Sequence, residues 1–74
     1  MNELLHILEE MKPDVDFNNT TGLIDNAIFD SFDIVQIVQE LNEKFDIEIP
    51  LTDIIPENFN SAELIWKMIE KLRK

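Results

Sequence analysis

The chain has no cysteine in its 74 residues, so disulfides and thiolate metal sites are excluded. Glycine occurs once, as Gly22, which rules out a glycine-rich phosphate loop and leaves little material for tight hairpins. Tyrosine is absent and Val and Thr are few, which disfavours a sheet. A single His with no Cys argues against a zinc site. Positive charge is also scarce: six bases face sixteen acids, for a net charge of -10. Such a surface repels nucleic acid and anionic lipid, and suits a partner that presents a basic patch. No apolar run approaches the ~18 residues of a membrane helix. The acidic start, MNELLHILEEM, lacks the basic beginning of a signal peptide. The expectation is a cytoplasmic monomer that neither inserts in membranes nor binds nucleic acid. With 45% hydrophobic and 30% charged residues, residues 1–74 read as one folded domain with a small core.

What is present is mostly helical periodicity. Leu4, Ile7, Leu8 and Met11 repeat at i, i+3, i+4, i+7, which predicts a helix over 3–11 that stops before Pro13. Residues 13–30 have no period and contain turn formers. Their apolar members, Val15, Phe17, Leu23, Ile24, Ile28 and Phe29, predict a long ordered loop pinned to the core. The clearest helix spans 31–45, with Ile34, Val38, Leu41 and Phe45 as its stripe, Ile37 beside them and Val35 turned toward the loop. Asp46–Pro50 reads as an extended connector with Ile47 and Ile49 inward. Leu51–Ile54 reads as a short helical turn ended by Pro56. Asn60-Ser61 supplies a cap for a last helix striped by Leu64, Ile65, Met68, Ile69 and Leu72, with Lys67, Lys71, Arg73 and Lys74 toward its negative end. The fold class is all-α: a small four-helix bundle with three main helices, one short helix and a long first loop.

Little of this can do chemistry unaided. A nucleophilic serine needs a base and an orienting group, and the one imidazole, His6, lies in the first helix. Asp14, Asp16, Asn18, Thr20 and Asp25 follow the oxygen-ligand spacing of a calcium loop. Asn19 stands where that loop turns on glycine, however, and Asp25 stands in place of the bidentate Glu. Ser31 opens the second helix, where unpaired N–H groups and the helix dipole favour a phosphate. On local pattern alone Ser31 reads first as part of the cap, and Asp30 just before it could equally cap those N–H groups. An unmodified acidic interaction module is the alternative reading.

The run Asp30-Ser31-Phe32-Asp33 followed by Ile34-Val35 resembles the Asp-Ser-Leu motif of the acyl carrier proteins. Downstream, Leu41-Asn42-Glu43-Lys44-Phe45-Asp46-Ile47-Glu48-Ile49-Pro50 is similar to that family's LEEEFGIEIP segment, with Asp46 in place of the glycine. The likeness covers the whole chain, to the final helix after ENFNSAELI. It implies a non-catalytic carrier of acyl-carrier fold whose Ser31, flanked by Asp30, bears a covalent 4'-phosphopantetheine taken from coenzyme A. The arm's thiol would hold an acyl or aminoacyl cargo as a thioester. The implied partners are a phosphopantetheinyl transferase, a loading ligase, and downstream transferases or synthases. Phe32 in FDSF resembles the D-alanyl carrier subgroup, whereas Asp33 is shared with the fatty-acid type. The resemblance makes Phe32, Asp33, Gln36, Glu40 and Glu43 the residues partners read, with Gln36 standing where fatty-acid carriers commonly have Glu.

Overall fold

The computed structural model describes residues 2–73. The first helix, α1 (Asn2–Met11), buries Leu4, Ile7 and Leu8, the face the spacing predicts. The Lys12 N–H still reaches the Leu8 carbonyl at 3.0 Å, and Pro13 then stops the helix.

The long loop is held by its own apolar residues. Phe17, Leu23 and Phe29 are buried, with Val15, Ile24 and Ile28 packed against the core. The Phe17 and Phe29 rings stack with centroids 5.7 Å apart. Between them the backbone coils tightly: the Asn26 N–H donates to the Gly22 carbonyl at 2.8 Å and the Phe29 N–H to the Leu23 carbonyl at 3.0 Å. That coil needs left-handed backbone at Gly22 (φ 66°) and again at Ala27 (φ 58°). Glycine adopts this region freely, whereas a Cβ makes it cost roughly 1–2 kcal/mol. Ala27 is exposed and its side chain contributes nothing to the core. Ala27→Gly is therefore expected to raise stability by up to about 1 kcal/mol, read as an increased denaturant midpoint at unchanged slope.

The second helix, α2 (Ser31–Phe45), starts in a capping box. The Asp30 side chain accepts the Asp33 N–H at 3.0 Å, and the Asp33 side chain accepts the Asp30 N–H at 3.3 Å. Ile37 and Leu41 are its fully buried residues; Ile34, Val38 and Phe45 flank them half-buried. The helix ends at Asp46, left-handed at φ 53°, with its N–H on the Asn42 carbonyl. The residue that stands where the resembling family has glycine thus keeps the glycine conformation. Asn42 also shapes the connector, since its side-chain oxygen accepts the Ile49 N–H at 3.1 Å. Ile49 is buried and Ile47 half-buried, as expected.

The expected helical turn is present as a 3-10 turn at Leu51–Asp53, and a further short helix that was not expected follows it, α3 (Pro56–Phe59). Pro56 does not end a helix; it begins one. At the first helical position its missing N–H costs nothing and its fixed φ is already helical.

The last helix, α4 (Ala62–Arg73), is capped by Ser61, whose Oγ accepts the Leu64 N–H at 3.1 Å. Ala62, Ile65, Met68 and Ile69 are buried and Leu72 is half-buried. Leu64, expected in the stripe, is exposed. Ala62, Ile65 and Ile69 set the centre of the buried face, and Leu64 lies roughly 100° round the helix from Ile65. Lys67 sits too early for the helix end and pairs instead with Glu63 on the surface at 3.8 Å. Lys71 and Arg73 occupy the last turn, and Lys74 lies outside the described residues. Arg73 lies over both Phe45 and Trp66, at 5.6 and 5.7 Å from the ring centres, and ties the end of α4 to the end of α2.

In the assembled fold α1 packs on α2 and α4, and α3 packs on α4. Among the described residues there is no strand, only an isolated bridge between Thr21 and Ser61.

Candidate functional site

Ser31 is the first residue of α2 and is exposed. The cap of that helix is Asp30, so the hydroxyl of Ser31 has no structural duty in the capping box. The N–H groups of Ser31 and Phe32 occupy the first two helical positions, which have no carbonyl one turn back to bond. A phosphate ester on the Ser31 oxygen would lie at the positive end of the helix dipole.

Beside the hydroxyl lies a cavity of about 310 Å³. Three parts of the chain wall it: Ser31, Ile34 and Val35 from α2, Ile24 from the long loop, and Ile54, Ile55, Pro56 and Phe59 from the segment that runs into α3. Its lining is mostly apolar, and Phe59, almost wholly buried, closes its floor. Val35 and the loop's Ile24 line the same cavity, and Val35, off the core stripe, is more than half exposed. The far wall was not legible in the sequence. Its only signal was an apolar pair, Ile54-Ile55, followed by a proline read as a stop.

The other expected site residues fall into two groups. Asp33, Gln36 and Glu40 line a separate depression of about 340 Å³ toward Ile7, Glu10 and Met11 of α1. Asp33 is held there by the capping box and by Lys12, whose Nζ is 3.8 Å from its carboxylate. Phe32 does not join them; it stands 85% exposed next to Ser31. Glu43 is exposed and lines neither cavity.

The rival chemistries are not assembled. His6 is exposed, 3.9 Å from Glu10, and lines a depression with Glu40 and Lys44 that does not include Ser31. Two of the calcium-loop carboxylates accept hydrogen bonds from protein groups. Asp16 accepts from the Asn18 N–H and the Asn19 side chain, and Asp25 accepts from the Asn60 side chain. Among the described residues no three His, Asp or Glu side chains converge in a metal-binding group. No helix there is long and apolar enough to cross a membrane.

Asn60 is the residue the sequence reading misplaced most. It does not cap α4. Its side-chain oxygen accepts the Ile24 and Asp25 N–H groups at 3.0 and 3.1 Å, and its carbonyl accepts the Leu23 N–H at 2.8 Å. A partner 35 residues away is invisible to any local pattern.

A family model described as the phosphopantetheine attachment site matches residues 1–65. The D-alanyl carrier protein of Streptococcus sanguinis (strain SK36) is 31% identical over 72 residues, covering 96% of this chain and 91% of that protein. The D-alanyl carrier protein of Bacillus cereus (strain B4264) is 30% identical over 73 residues, covering 96% of this chain and 92% of that protein. No solved structure gives a significant match. Matched over most of its length, the chain thus belongs to the phosphopantetheine-binding carrier proteins, which do no catalysis themselves and hold an acyl or aminoacyl cargo on a covalent 4'-phosphopantetheine.

Proposed function

We propose that Ser31 is the residue that carries the arm and that residues 1–74 act as one cytoplasmic, monomeric carrier unit whose cargo is D-alanine. The single observation that carries the site is an exposed hydroxyl at the first position of α2, free of the cap and opening on an apolar cavity. The residues there fit the group. The oxygen is accessible, the helix end favours a phosphate, and the walls offered by Ile24, Val35 and Ile55 suit the apolar stretches of a pantetheine chain. When attached, the arm supplies a thiol that holds the cargo's carboxyl group as a thioester.

The chain's own residues present that arm. Asp30 and Asp33 fix the start of α2 through their reciprocal hydrogen bonds, so the attachment oxygen has one position relative to the cavity. Lys12 braces the same turn from the end of α1. The choice of cargo rests on the D-alanyl carrier relatives and on Phe32, which stands exposed beside the site.

Two measurements test the reading. Intact mass after incubation with coenzyme A and a phosphopantetheinyl transferase should rise by one phosphopantetheine; an unchanged mass defeats the assignment. The loaded carrier, offered to a D-alanine-activating ligase with the amino acid and ATP, should then acquire D-alanine in preference to fatty acids. Uptake of fatty acids instead overturns the cargo while leaving the arm in place.

Partner enzymes of the transferase and ligase kind are steered by the acids of α2. Glu40 and Glu43 are exposed and unpaired by any basic side chain among the described residues. Glu40→Lys with Glu43→Lys should lower the transferase's kcat/KM by roughly ten-fold at low ionic strength, through a slower encounter. The deficit should shrink as salt screens the field. A deficit that is the same at high salt argues against steering.

A further inference from the structure

The loop and the α3–α4 junction are tied together at one residue, and the tie spans the cavity beside Ser31. Ile24 is the loop's contribution to the cavity wall, and Phe59 is its floor. Asn60 follows Phe59 directly. It takes the Leu23 N–H on its carbonyl, takes the Ile24 and Asp25 N–H groups on its side-chain oxygen, and donates its side-chain amide to the Asp25 carboxylate at 3.3 Å. The Thr21–Ser61 bridge lies immediately alongside. By contrast, the neighbouring loop bonds from Asn26 to Gly22 and from Ala27 to Ile24 stay within the loop and fix nothing across the cavity.

We infer that Asn60 is a positioning residue that sets the width of this cavity and so decides whether the arm on Ser31 rests in it or stays in solvent. The inference builds on the assignment of Ser31. Its physical basis is geometric. With the Asn60 side chain removed, the Ile24 and Asp25 N–H groups lose their acceptor and turn to water. The loop is then tied to the α3–α4 junction only through the Leu23 N–H on the Asn60 carbonyl and the Thr21–Ser61 bridge, so Ile24 is held less firmly and an apolar arm loses the fixed position of one of the two walls it would pack between. Asp25 contributes by orienting the amide, so the pair can be exchanged. In Asn60→Asp combined with Asp25→Asn, the new carboxylate still accepts both N–H groups and the new amide donates to it.

The experiment uses full-length protein, in the bare form and with the arm attached. In the bare protein Asn60→Ala should speed amide exchange at Ile24 and Asp25 by about ten-fold, the equivalent of roughly one hydrogen bond, with the Ile37 and Leu41 amides unchanged relative to each other. In the arm-bearing protein, nuclear Overhauser contacts between the pantetheine methyls and the methyls of Ile24, Val35 and Ile55 should be present in the parent, absent in Asn60→Ala, and restored in the exchanged pair. Asn60→Ala has a milder companion in Asp25→Ala, which leaves both N–H acceptors in place and should weaken the contacts without abolishing them. Arm contacts that persist in a folded Asn60→Ala, or that are missing from the arm-bearing parent, overturn the inference while leaving the attachment site standing. A protein whose mass does not rise with coenzyme A and transferase removes the attachment site itself, and the inference with it.

Discussion

Ser31→Ala is expected to abolish attachment of the arm completely while leaving the fold and its stability almost unchanged. A phosphodiester needs an oxygen to bond, and no neighbouring hydroxyl can substitute. Thr20 and Thr21 lie in the loop before α2, Thr52 in the 3-10 turn after it, none of them at the start of a long helix, and Ser61 spends its oxygen on the cap of α4. The loss is therefore all-or-none, read as an intact mass that stays at the bare-chain value after transferase treatment. The small structural cost follows from the cap. Asp30, not Ser31, accepts the Asp33 N–H, and the Ser31 side chain is exposed at the first helical position. Alanine there is a good helix former, so the change should fall within about 0.5 kcal/mol. Asp30→Ala supplies the contrast. It removes the capping side chain and should cost ~0.5–2 kcal/mol, yet it retains the hydroxyl and so retains some loading. If Ser31→Ala unfolds the protein, or still gains mass, the site lies elsewhere.

The division between what the sequence disclosed and what it hid follows the range of the interactions. α1, α2 and α4 are written in periodic apolar residues and in caps that act within four positions, such as Asp30 with Asp33 and Ser61 with Leu64. The attachment motif is equally local, and its resemblance to acyl carrier proteins rested on contiguous residues. The floor and far wall of the cavity are different. They depend on Pro56 starting a helix, which a proline-as-stop rule misreads, and on Asn60 bonding to residues more than thirty positions earlier. Leu64 failed for a related reason. Its spacing fits the stripe, but which edge of a helix is covered depends on what packs there, and nothing in α4 itself records that. The left-handed residue Ala27 was also unreadable, because nothing in its own sequence neighbourhood marks it, whereas Asp46 was marked by the glycine it replaces in the resembling segment.

Leu41→Ala is expected to cost roughly 2–5 kcal/mol, the largest stability loss predicted here. The periodic pattern assigned Ile34 and Leu41 equally to the core, but the structure separates them. Leu41 has no exposed surface and lies in the cluster with Leu4, Leu8, Ile37, Ile65 and Ile69. Removing its branched end leaves a void in the fully buried centre of the core, where collapse into the space is limited. Ile34 is only half-buried and lines the open cavity beside Ser31, where solvent or the arm can take up the lost volume. Ile34→Ala should accordingly cost less, nearer the lower end of that range or below it. Proteins of this size hold about 4–11 kcal/mol in total, so the Leu41 variant should sit close to its unfolding transition at room temperature. Urea unfolding of both variants, followed by the Trp66 signal, measures the difference directly. The function should divide the opposite way. Leu41→Ala, where folded, should still accept the arm, because the start of α2 is held by Asp30 and Asp33 and not by the far end of the core. Ile34→Ala should load normally but weaken the arm's contacts with the cavity wall. Equal stability losses in the two variants would show that the half-buried face of α2 is packed as tightly as its centre.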